Sequence, residues 1–505
     1  MSNIDWTKEQ RQAPLGLLLF AANTLRKILK AAWPVLLVLI FKESEKSKDD
    51  LYFWMSILGT VFILAHSLLS FWYFRFSIVD NEFIAKKGYL KKIKLSVDID
   101  RIQTVNIKQN ILQQILGLVS LEIDTAGAKD AEIKLIAIKK EVAVELEKKL
   151  AEKSNIKNPV ESSIDTDANN TDTTAAKSII ELSIEDLVKA AISENHLKNL
   201  LLIFGLAFGF YSQLSRSFQD RIDGLTEQGV NIVQNFGVKT ILMLIVFLLI
   251  FSIIISIFKT IVKFYNLKLW ETNNSFLLNF GLFNIKKINI PISKIQIIKW
   301  DNNPIRKTLG FKSLSIKQAS SGAQMKKDQR ISIPACNKDQ QIAIEESLFG
   351  KSEPIFSEKI KTHPIYFIKV FILFSLIILS TAASLISSEP ALYNYQSFIL
   401  IGVLELILLA LLLLEYKKRS FRIDEDILEV NSGQIGDSIQ LIKNYKIQSI
   451  AYKQSIFMKM RGTATIKVYT AAGTNITIPY IAEDTATELM NFLLYKIESS
   501  DEKWM

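Results

Sequence analysis

The sequence predicts an α+β membrane protein with three transmembrane helical hairpins, each followed by a small β-barrel or sandwich with a C-terminal helix. Two observations predict it. Apolar stretches occur in pairs along the 505-residue chain, and one pattern of glycine and glutamine follows each pair. Hydrophobic residues make up 49% of the chain and charged residues 22%, with a mean hydropathy of +0.21. This mixture indicates a chain that lies partly in a membrane and partly in water.

The apolar stretches predict about six spans. A bilayer-spanning helix needs about 20 mainly apolar residues. A short stretch at 31–41 is adequate if its helix starts earlier and Arg26, Lys27 and Lys30 reach the interface. Residues 14–25 then either lie along the surface or continue the same tilted helix. The other five predicted spans are 51–74, 197–214, 240–258, 370–386 and 396–414.

The distribution of charge predicts the topology. The loops inside the three hairpins carry five Lys/Arg against eight Asp/Glu, whereas lysines and arginines gather at the opposite ends. Because basic residues favour the cytoplasmic side, the N-terminus and the large polar segments are expected in the cytoplasm of a cell-membrane protein. The net charge of +10 is attributed to this asymmetry and to anionic lipid. No nucleic-acid motif is present, so no nucleic-acid partner is expected.

A threefold internal repeat follows the hairpins. Gly88, Gly281 and Gly433 each precede a glutamine by 15 residues, and a second glycine follows each glutamine by 14. The glutamines stand in the phrases "RIQTV", "KIQII" and "KIQSI". Repeats of this kind indicate one structural unit used several times. The glutamines are Gln103, Gln296 and Gln448, and the second glycines are Gly117, Gly310 and Gly462.

Each repeat has the pattern of a small β domain. Short β-rich runs separated by polar turns, such as "FRFSIVDNEFIAKKG", indicate hairpins. The glycines suit bulges or tight turns. A helical run closes each repeat, as in "KKEVAVELEKKL". About seven strands and a final helix per repeat are therefore expected.

The remaining segments complete the domain plan. Residues 151–178 are rich in Ser, Thr, Asn and Asp and are predicted to be a disordered linker. The run after Ser183 predicts an amphipathic helix that lies at the membrane interface or packs on a neighbouring domain. The predicted divisions are 1–74, N-terminal segment and first hairpin; 75–150, first domain; 151–178, linker; 179–260, amphipathic helix and second hairpin; 261–350, second domain; 351–416, third hairpin; and 417–498, third domain.

These motifs resemble those of the bacterial pleckstrin-homology (PH) domain family. The whole arrangement is similar to the YdbT-like bacterial membrane proteins, with the first repeat the best match and the second the weakest. The resemblance implies PH-like folds in a multi-pass membrane protein. It also implies a smaller companion protein with one PH-like domain, and a link with resistance to membrane-active bacteriocins. Homo- or hetero-oligomers are compatible with it.

No pattern indicates catalysis. The sequence lacks a nucleophile motif, a Walker loop and paired metal ligands, so neither an enzyme nor a cofactor is expected. Cys336 is the only cysteine, which excludes an intrachain disulfide and a thiolate cluster. The three histidines are far apart in sequence, and no metal site is expected.

The glutamine of the repeated phrase has two interpretations. It could present an amide to a ligand, or it could belong to a buried strand where the amide caps a turn or the end of a ladder. The second interpretation is favoured because all three copies keep the glutamine while their surface charges differ.

Two groups of basic residues are candidates for lipid contact. One follows the first hairpin, and the other belongs to the second repeat, where residues 264–350 carry 13 Lys/Arg against 6 Asp/Glu. A basic residue near an anionic leaflet contributes about 1 kcal/mol. A solvated hairpin tip is the alternative interpretation of the first group. The candidates are Lys86, Lys87, Lys91, Lys92, Lys94, Lys286, Lys287, Arg306 and Lys307.

Glu405 and His66 are candidate intramembrane functional residues. An ionisable side chain in hydrocarbon is costly and indicates function by default. The alternative is a hydrogen-bonded packing contact. The sequence thus predicts a binding or scaffold protein of the bacterial envelope, and the resemblance alone implies a role in resistance to membrane-active peptides. The alternative is a lipid or peptide transporter or flippase component that uses an intramembrane path at Glu405.

Overall fold

The computed structural model describes residues 5–26, 46–125, 133–153, 177–194, 196, 238–272, 274–319, 330–350, 358–388 and 393–500. The chain divides into two compact units, residues 1–272 with 277–289, and residues 273–276 with 290–505. The predicted spans 31–41 and 197–214 lie outside the described residues.

The first sheet of unit 1 has four antiparallel strands in the order β1-β2-β3-β4. The middle residues of β2 and β3 are buried, and the rings of Phe76 and Phe83 stack there with their centroids 6.2 Å apart. The strands are β1 (Gln10–Arg11), β2 (Arg75–Val79), β3 (Glu82–Lys87) and β4 (Ile93–Asp98).

The second sheet of unit 1 has seven strands in the order β7-β6-β5-β11-β10-β9-β8. It contains strands from two successive repeats, because β5 of the first repeat pairs with β11 of the second. The strands are β5 (Ile102–Asn110), β6 (Leu118–Thr125), β7 (Ile133–Lys139), β8 (Lys177–Glu181), β9 (Lys268–Thr272), β10 (Ser275–Phe280) and β11 (Asn284–Pro291).

The helices of unit 1 include one that packs on the sheets, α4, and two that contain the apolar segments, α2 and α6. Leu146 of α4 is buried in the core with Leu121 and Leu135 of the sheet. Helix α5 begins with a capping box at Ser183 and packs on α6, where Ser256 Oγ lies 3.4 Å from the carbonyl oxygen of Ala191. The helices are α1 (described over 16–26), α2 (Lys46–Trp72), α3 (Ile111–Ile115), α4 (Lys140–Lys153), α5 (Ile184–Ile192) and α6 (Val238–Phe264).

Unit 2 repeats the arrangement with two sheets. A seven-stranded sheet has the order β14-β13-β12-β18-β17-β16-β15, and a three-stranded sheet has the order β19-β20-β21. The strands are β12 (Ile295–Asn302), β13 (Lys312–Gln318), β14 (Arg330–Cys336), β15 (Ile360–Lys361), β16 (Ser420–Ile423), β17 (Ile427–Ser432), β18 (Asp437–Lys443), β19 (Ile447–Lys453), β20 (Thr463–Thr470) and β21 (Asn475–Ala482).

The core of unit 2 lies between these sheets and the last helix. Phe421, Leu428, Ile466 and Leu493 are buried together there. The helices are α7 (Pro304–Thr308), α8 (Lys338–Phe349), α9 (Ile365–Ser388), α10 (Tyr395–Lys418), α11 (Ile456–Lys459) and α12 (Glu483–Glu498). The α+β class predicted from the sequence is confirmed.

The repeated glycines have one structural reason. Gly88, Gly281 and Gly433 have φ of +90°, +113° and +135°, and in each a Cβ would lie 2.1 Å from the carbonyl oxygen three residues later. Only glycine fits such a turn without strain. The prediction of tight turns at these glycines is confirmed.

A short strand before each pair of apolar segments escaped the sequence analysis. Strands β1, β8 and β15 pair with β2, β9 and β16, which come after the apolar segments. Two of the three have only two residues, too few to show the alternation that predicts a strand. The third, β8, has five residues and begins at Lys177, at the end of the predicted linker.

Three helical stretches within the described residues are long and apolar enough to cross a membrane. They are Val246–Phe264, Ile365–Ser388 and Tyr395–Lys418, and α2 contains the shorter apolar stretch Leu58–Trp72. Three of the six predicted spans thus have a counterpart of sufficient length and composition.

Candidate functional site

The first basic group lies on β3, on β4 and in the turn between them. Lys86 Nζ is 2.5 Å from Glu9 Oε1, and this pairing lowers the pKa of Glu9. Lys87, Lys91, Lys92 and Lys94 are exposed, with no acidic partner among the residues the structure describes. One lysine of the group is therefore held in an ion pair, and the other four face solvent.

The turn that carries this group lies against the end of helix α2. The Tyr89 ring is 5.5 Å from the His66 ring and 6.4 Å from the Tyr73 ring, measured between centroids. His66 thus packs against an aromatic residue of the first domain. Leu90, next in the turn, is 85% exposed.

The second basic group does not form one uniform surface. In unit 1, Lys286 and Lys287 are partly buried, and Lys287 Nζ lies 3.9 Å from Glu147 Oε2. In unit 2, Arg306 donates to Ser313 Oγ over 2.7 Å, while Lys307 is exposed. Lys287 and Arg306 are therefore engaged in contacts with the protein.

Glu405 faces the neighbouring apolar helix. Ser375 Oγ of α9 donates to Glu405 Oε1 of α10 over 3.0 Å. Glu405 Oε2 is buried and has no hydrogen-bond partner within the part of the chain that the structure describes. The carboxyl group thus makes a packing contact and retains one unused oxygen. His66 belongs to the other unit.

The repeated phrase occupies the start of a strand after a 3-10 turn in every repeat. Ile102, Ile295 and Ile447 are 3%, 6% and 1% exposed. Gln296 is buried, whereas Gln448 is exposed. The isoleucine before each glutamine is therefore a core residue in all three repeats, whereas the burial of the glutamine differs between the second and third repeats.

The junction between repeats in unit 1 is a shared sheet. Strand β11 pairs with β5 from Asn284 opposite Asn110 to Lys287 opposite Ile107. Gln114 Nε2 of α3 donates to the carbonyl oxygens of Leu282 and Phe283, over 3.2 and 3.1 Å. The turn of the second repeat thus rests on the short helix of the first.

The junction in unit 2 repeats this construction with strand β18 on β12. A Cβ on Gly436 would lie 2.0 Å from the Asn302 carbonyl oxygen, so the backbones approach closely. Lys446 is 2% exposed. Its Nζ donates to the carbonyl oxygens of Ile292, Ser293 and Ile295 over 3.3, 2.5 and 2.8 Å.

These junctions were not foreseen from the sequence. Backbone pairing between strands leaves little trace in the residue types. One signal was present: Arg101, Lys294 and Lys446 stand two residues before each repeated glutamine. A basic residue at this position in all three repeats indicates a contact common to the repeats. Lys446 shows what that contact is, a set of hydrogen bonds to carbonyl oxygens of the preceding repeat.

A comparison with known families agrees with this construction. The model of the bacterial PH domain matches residues 25–154, 228–351 and 370–497. The chain belongs to the bacterial PH domain family. The three matches coincide with the three repeats, and the PH-like domains predicted from the sequence are confirmed.

One curated relative extends the similarity of these bacterial PH domains to the whole chain. The UPF0699 transmembrane protein YdbT of Bacillus subtilis (strain 168) is 25% identical over 508 residues. The alignment covers 97% of this chain and 99% of the relative. The predicted resemblance to YdbT-like proteins is confirmed, and a membrane location agrees with it.

Proposed function

We propose that this protein is a scaffold of the bacterial cell membrane, with about six spans in three hairpins and its PH-like domains in the cytoplasm. The domains bind anionic lipid, one another, or a smaller companion protein with one PH-like domain. The protein acts without catalysis, in resistance to membrane-active peptides.

The sheets shared between repeats carry this proposal. Each unit contains its own seven-stranded sheet, to which two successive domains contribute strands. Domains joined through backbone hydrogen bonds keep a fixed spacing, unlike domains on flexible linkers. Binding sites held at fixed spacing raise each other's effective concentration, which strengthens the binding of an extended surface.

Survival of a sensitive bacterium tests the proposal. Cells that express the full chain, with and without the companion protein, are exposed to a panel of membrane-active bacteriocins. Protection by the full chain is expected. If the correctly inserted protein gives none, the resistance function is excluded.

A second candidate function is a lipid or peptide transporter or flippase. The unused buried oxygen of Glu405 favours it, because an intramembrane carboxyl group of this kind can bind a polar substrate or a proton. Substitution Glu405→Gln separates the two functions while keeping an acceptor for Ser375 Oγ. Loss of protection at an unchanged membrane level supports transport, and unchanged protection supports the scaffold. Ser380→Ala, on the neighbouring helix α9, is the control, since Ser380 Oγ donates to the Ile377 carbonyl oxygen of its own helix turn.

A further inference from the structure

The two junctions have the same register. In each junction, the residue six positions after the glycine of one repeat lies opposite the residue nineteen positions after the glycine of the preceding repeat. Lys287 lies opposite Ile107 in unit 1, and Ile439 lies opposite Trp300 in unit 2. The pairing is therefore a property of the repeat, and it recurs between repeats with different side chains.

The last repeat leaves this joining edge open among the described residues. The last sheet has the order β19-β20-β21, and no strand among the described residues pairs with the outer edge of β19. Its counterparts β5 and β12 each receive a strand of the next repeat. Ser449 is exposed, whereas its counterparts Thr104 and Ile297 are 3% and 0% exposed. Within the described residues, the edge of β19 thus lacks the cover that β5 and β12 have.

The helix beside this edge is also uncovered. Ile456 and Phe457 of α11 are 79% and 73% exposed. At the corresponding positions Ile111, Leu112 and Ile305 are 41%, 42% and 45% exposed. The tail face, defined here as the turn Asn444–Lys446, strand β19 and helix α11, therefore exposes more apolar side-chain surface than its counterparts.

The first repeat has the matching open elements. Strand β4 is the counterpart of β11 and β18, and it forms an outer edge of its sheet among the described residues. Arg101 is exposed, while its counterpart Lys446 is buried against three carbonyl oxygens. The head face is defined here as the turn at Tyr89 and Leu90, strand β4 and Arg101. Its counterparts in the second and third repeats are the elements that pair with the preceding repeat within the chain.

We propose that the head face of one copy docks on the tail face of a second copy, continuing the intrachain repeat register between chains. In this register Lys94 lies opposite Tyr452, and Ile93 lies opposite Lys453. Arg101 reaches the carbonyl oxygens of the Asn444–Lys446 turn. Leu90 covers the apolar side of α11. The contact is head-to-tail, so each copy retains one free face for a further copy.

Charge permits this pairing. No residue of β4 meets a like charge directly across from it in the repeat register, whereas in the unit 1 junction Lys286 lies directly opposite Lys108. There Glu122 neutralises Lys108, with Oε2 2.6 Å from Nζ. The interchain contact therefore carries a smaller direct repulsion than a junction that already forms.

Disulfide formation between two tagged copies tests the proposal. One copy carries Lys94→Cys and the other Tyr452→Cys, and both are co-expressed in full length and oxidised mildly in detergent. Residues opposed in an antiparallel pair have Cα atoms about 4.5–5.5 Å apart, within the range that a disulfide bridges. Cys336 is buried and its thiol pKa is raised by that burial, so it does not interfere.

The expected result is an adduct of the two tagged copies. The pair Lys94→Cys with Ala451→Cys is the control, because adjacent strand residues point to opposite faces. Equal or greater yield from this control overturns the register. Absence of adduct from both pairs overturns the contact, and an adduct of Tyr452→Cys with another protein overturns the second copy as its occupant.

A second variant tests the apolar part of the tail face. Ile456→Asp with Phe457→Asp is expected to lower the adduct yield at least fivefold, a loss of about 1 kcal/mol of association free energy at RT of about 0.59 kcal/mol. Ile115→Asp is the control, since Ile115 is 76% exposed on the corresponding helix of the first repeat. Unchanged yield in the double variant means that α11 contacts something else, such as lipid, and contradicts its place in the tail face.

Discussion

Lys446 Nζ lies 2.5 Å from the carbonyl oxygen of Ser293, a residue of the preceding repeat. Two further carbonyl oxygens, of Ile292 and Ile295, surround the same ammonium group. A buried ammonium group is tolerated when its hydrogen bonds are satisfied, and hydrogen bonds to charged groups are the stronger ones. This side chain therefore holds two repeats together in unit 2.

Substitution Lys446→Met should destabilise unit 2. The change keeps an apolar stem but leaves three carbonyl oxygens without their donor, so a loss of about 2–4 kcal/mol is expected. Hydrogen exchange of residues 290–302 and thermal unfolding of the full chain measure it. Lys338→Met is the control, because Lys338 is an exposed lysine of the same unit. Equal effects of the two variants would contradict the role of Lys446.

Substitution Gly281→Ala should destabilise unit 1. The φ of +113° and a Cβ position 2.1 Å from the Asn284 carbonyl oxygen leave no room for a side chain. A cost of about 1–3 kcal/mol is expected from backbone strain alone. Thermal unfolding of the detergent-solubilised protein measures this cost. Gly402→Ala is the control, since a Cβ there meets nothing within 4 Å; an equally large shift in that variant would refute the steric explanation.

The sequence predicted the repeat and its domains because local residue types determine both. The positive φ at Gly88 restricts the residue type, so the glycine recurs at each repeat and is visible in the sequence. The shared sheets depend on backbone hydrogen bonds, which residues as different as Lys287 and Ile439 can make at the same position. The partners of Lys287 and Arg306 were not predictable either, because these side-chain contacts depend on which elements the fold brings together.

The stability of unit 2 should fall as the pH rises through the titration range of Glu345. Burial raises the pKa of this carboxyl group, and the hydrogen bond from Gln341 opposes the increase. The folded state therefore keeps a proton that the unfolded state has already released, and ionisation in that range disfavours folding.

Glu345→Gln should remove this pH dependence. The variant is expected to be more stable than the parent near neutral pH and equal to it in acid, where the carboxyl group is protonated in both states. Thermal unfolding across a pH series measures the difference. Glu346→Gln, the exposed neighbour, is the control. A gain that does not change with pH would exclude titration of Glu345 as its cause.

Substitution of Lys91 and Lys92 by Gln should weaken the association of anionic lipid with the head of the chain. Both lysines are exposed beside a turn that packs on helix α2 through Tyr89. A contribution of about 1 kcal/mol per lysine predicts a loss of about 2 kcal/mol, a factor of about thirty. Mass spectrometry of the phosphatidylglycerol and phosphatidylethanolamine that copurify with each variant measures the preference. High salt should reduce the preference of the parent more than that of the variant, because the variant lacks two of the charges on which screening acts.

The control for this lipid measurement removes the same charge elsewhere, at the exposed Lys338 and Lys359. If lipid binding depended only on the net charge of the protein, both double variants would lose the same amount of phosphatidylglycerol. A loss confined to Lys91 and Lys92 would instead show that position matters, as expected for basic residues at the end of an apolar helix. Equal losses would contradict the lipid-contacting role of the first basic group and leave its lysines as a solvated hairpin tip.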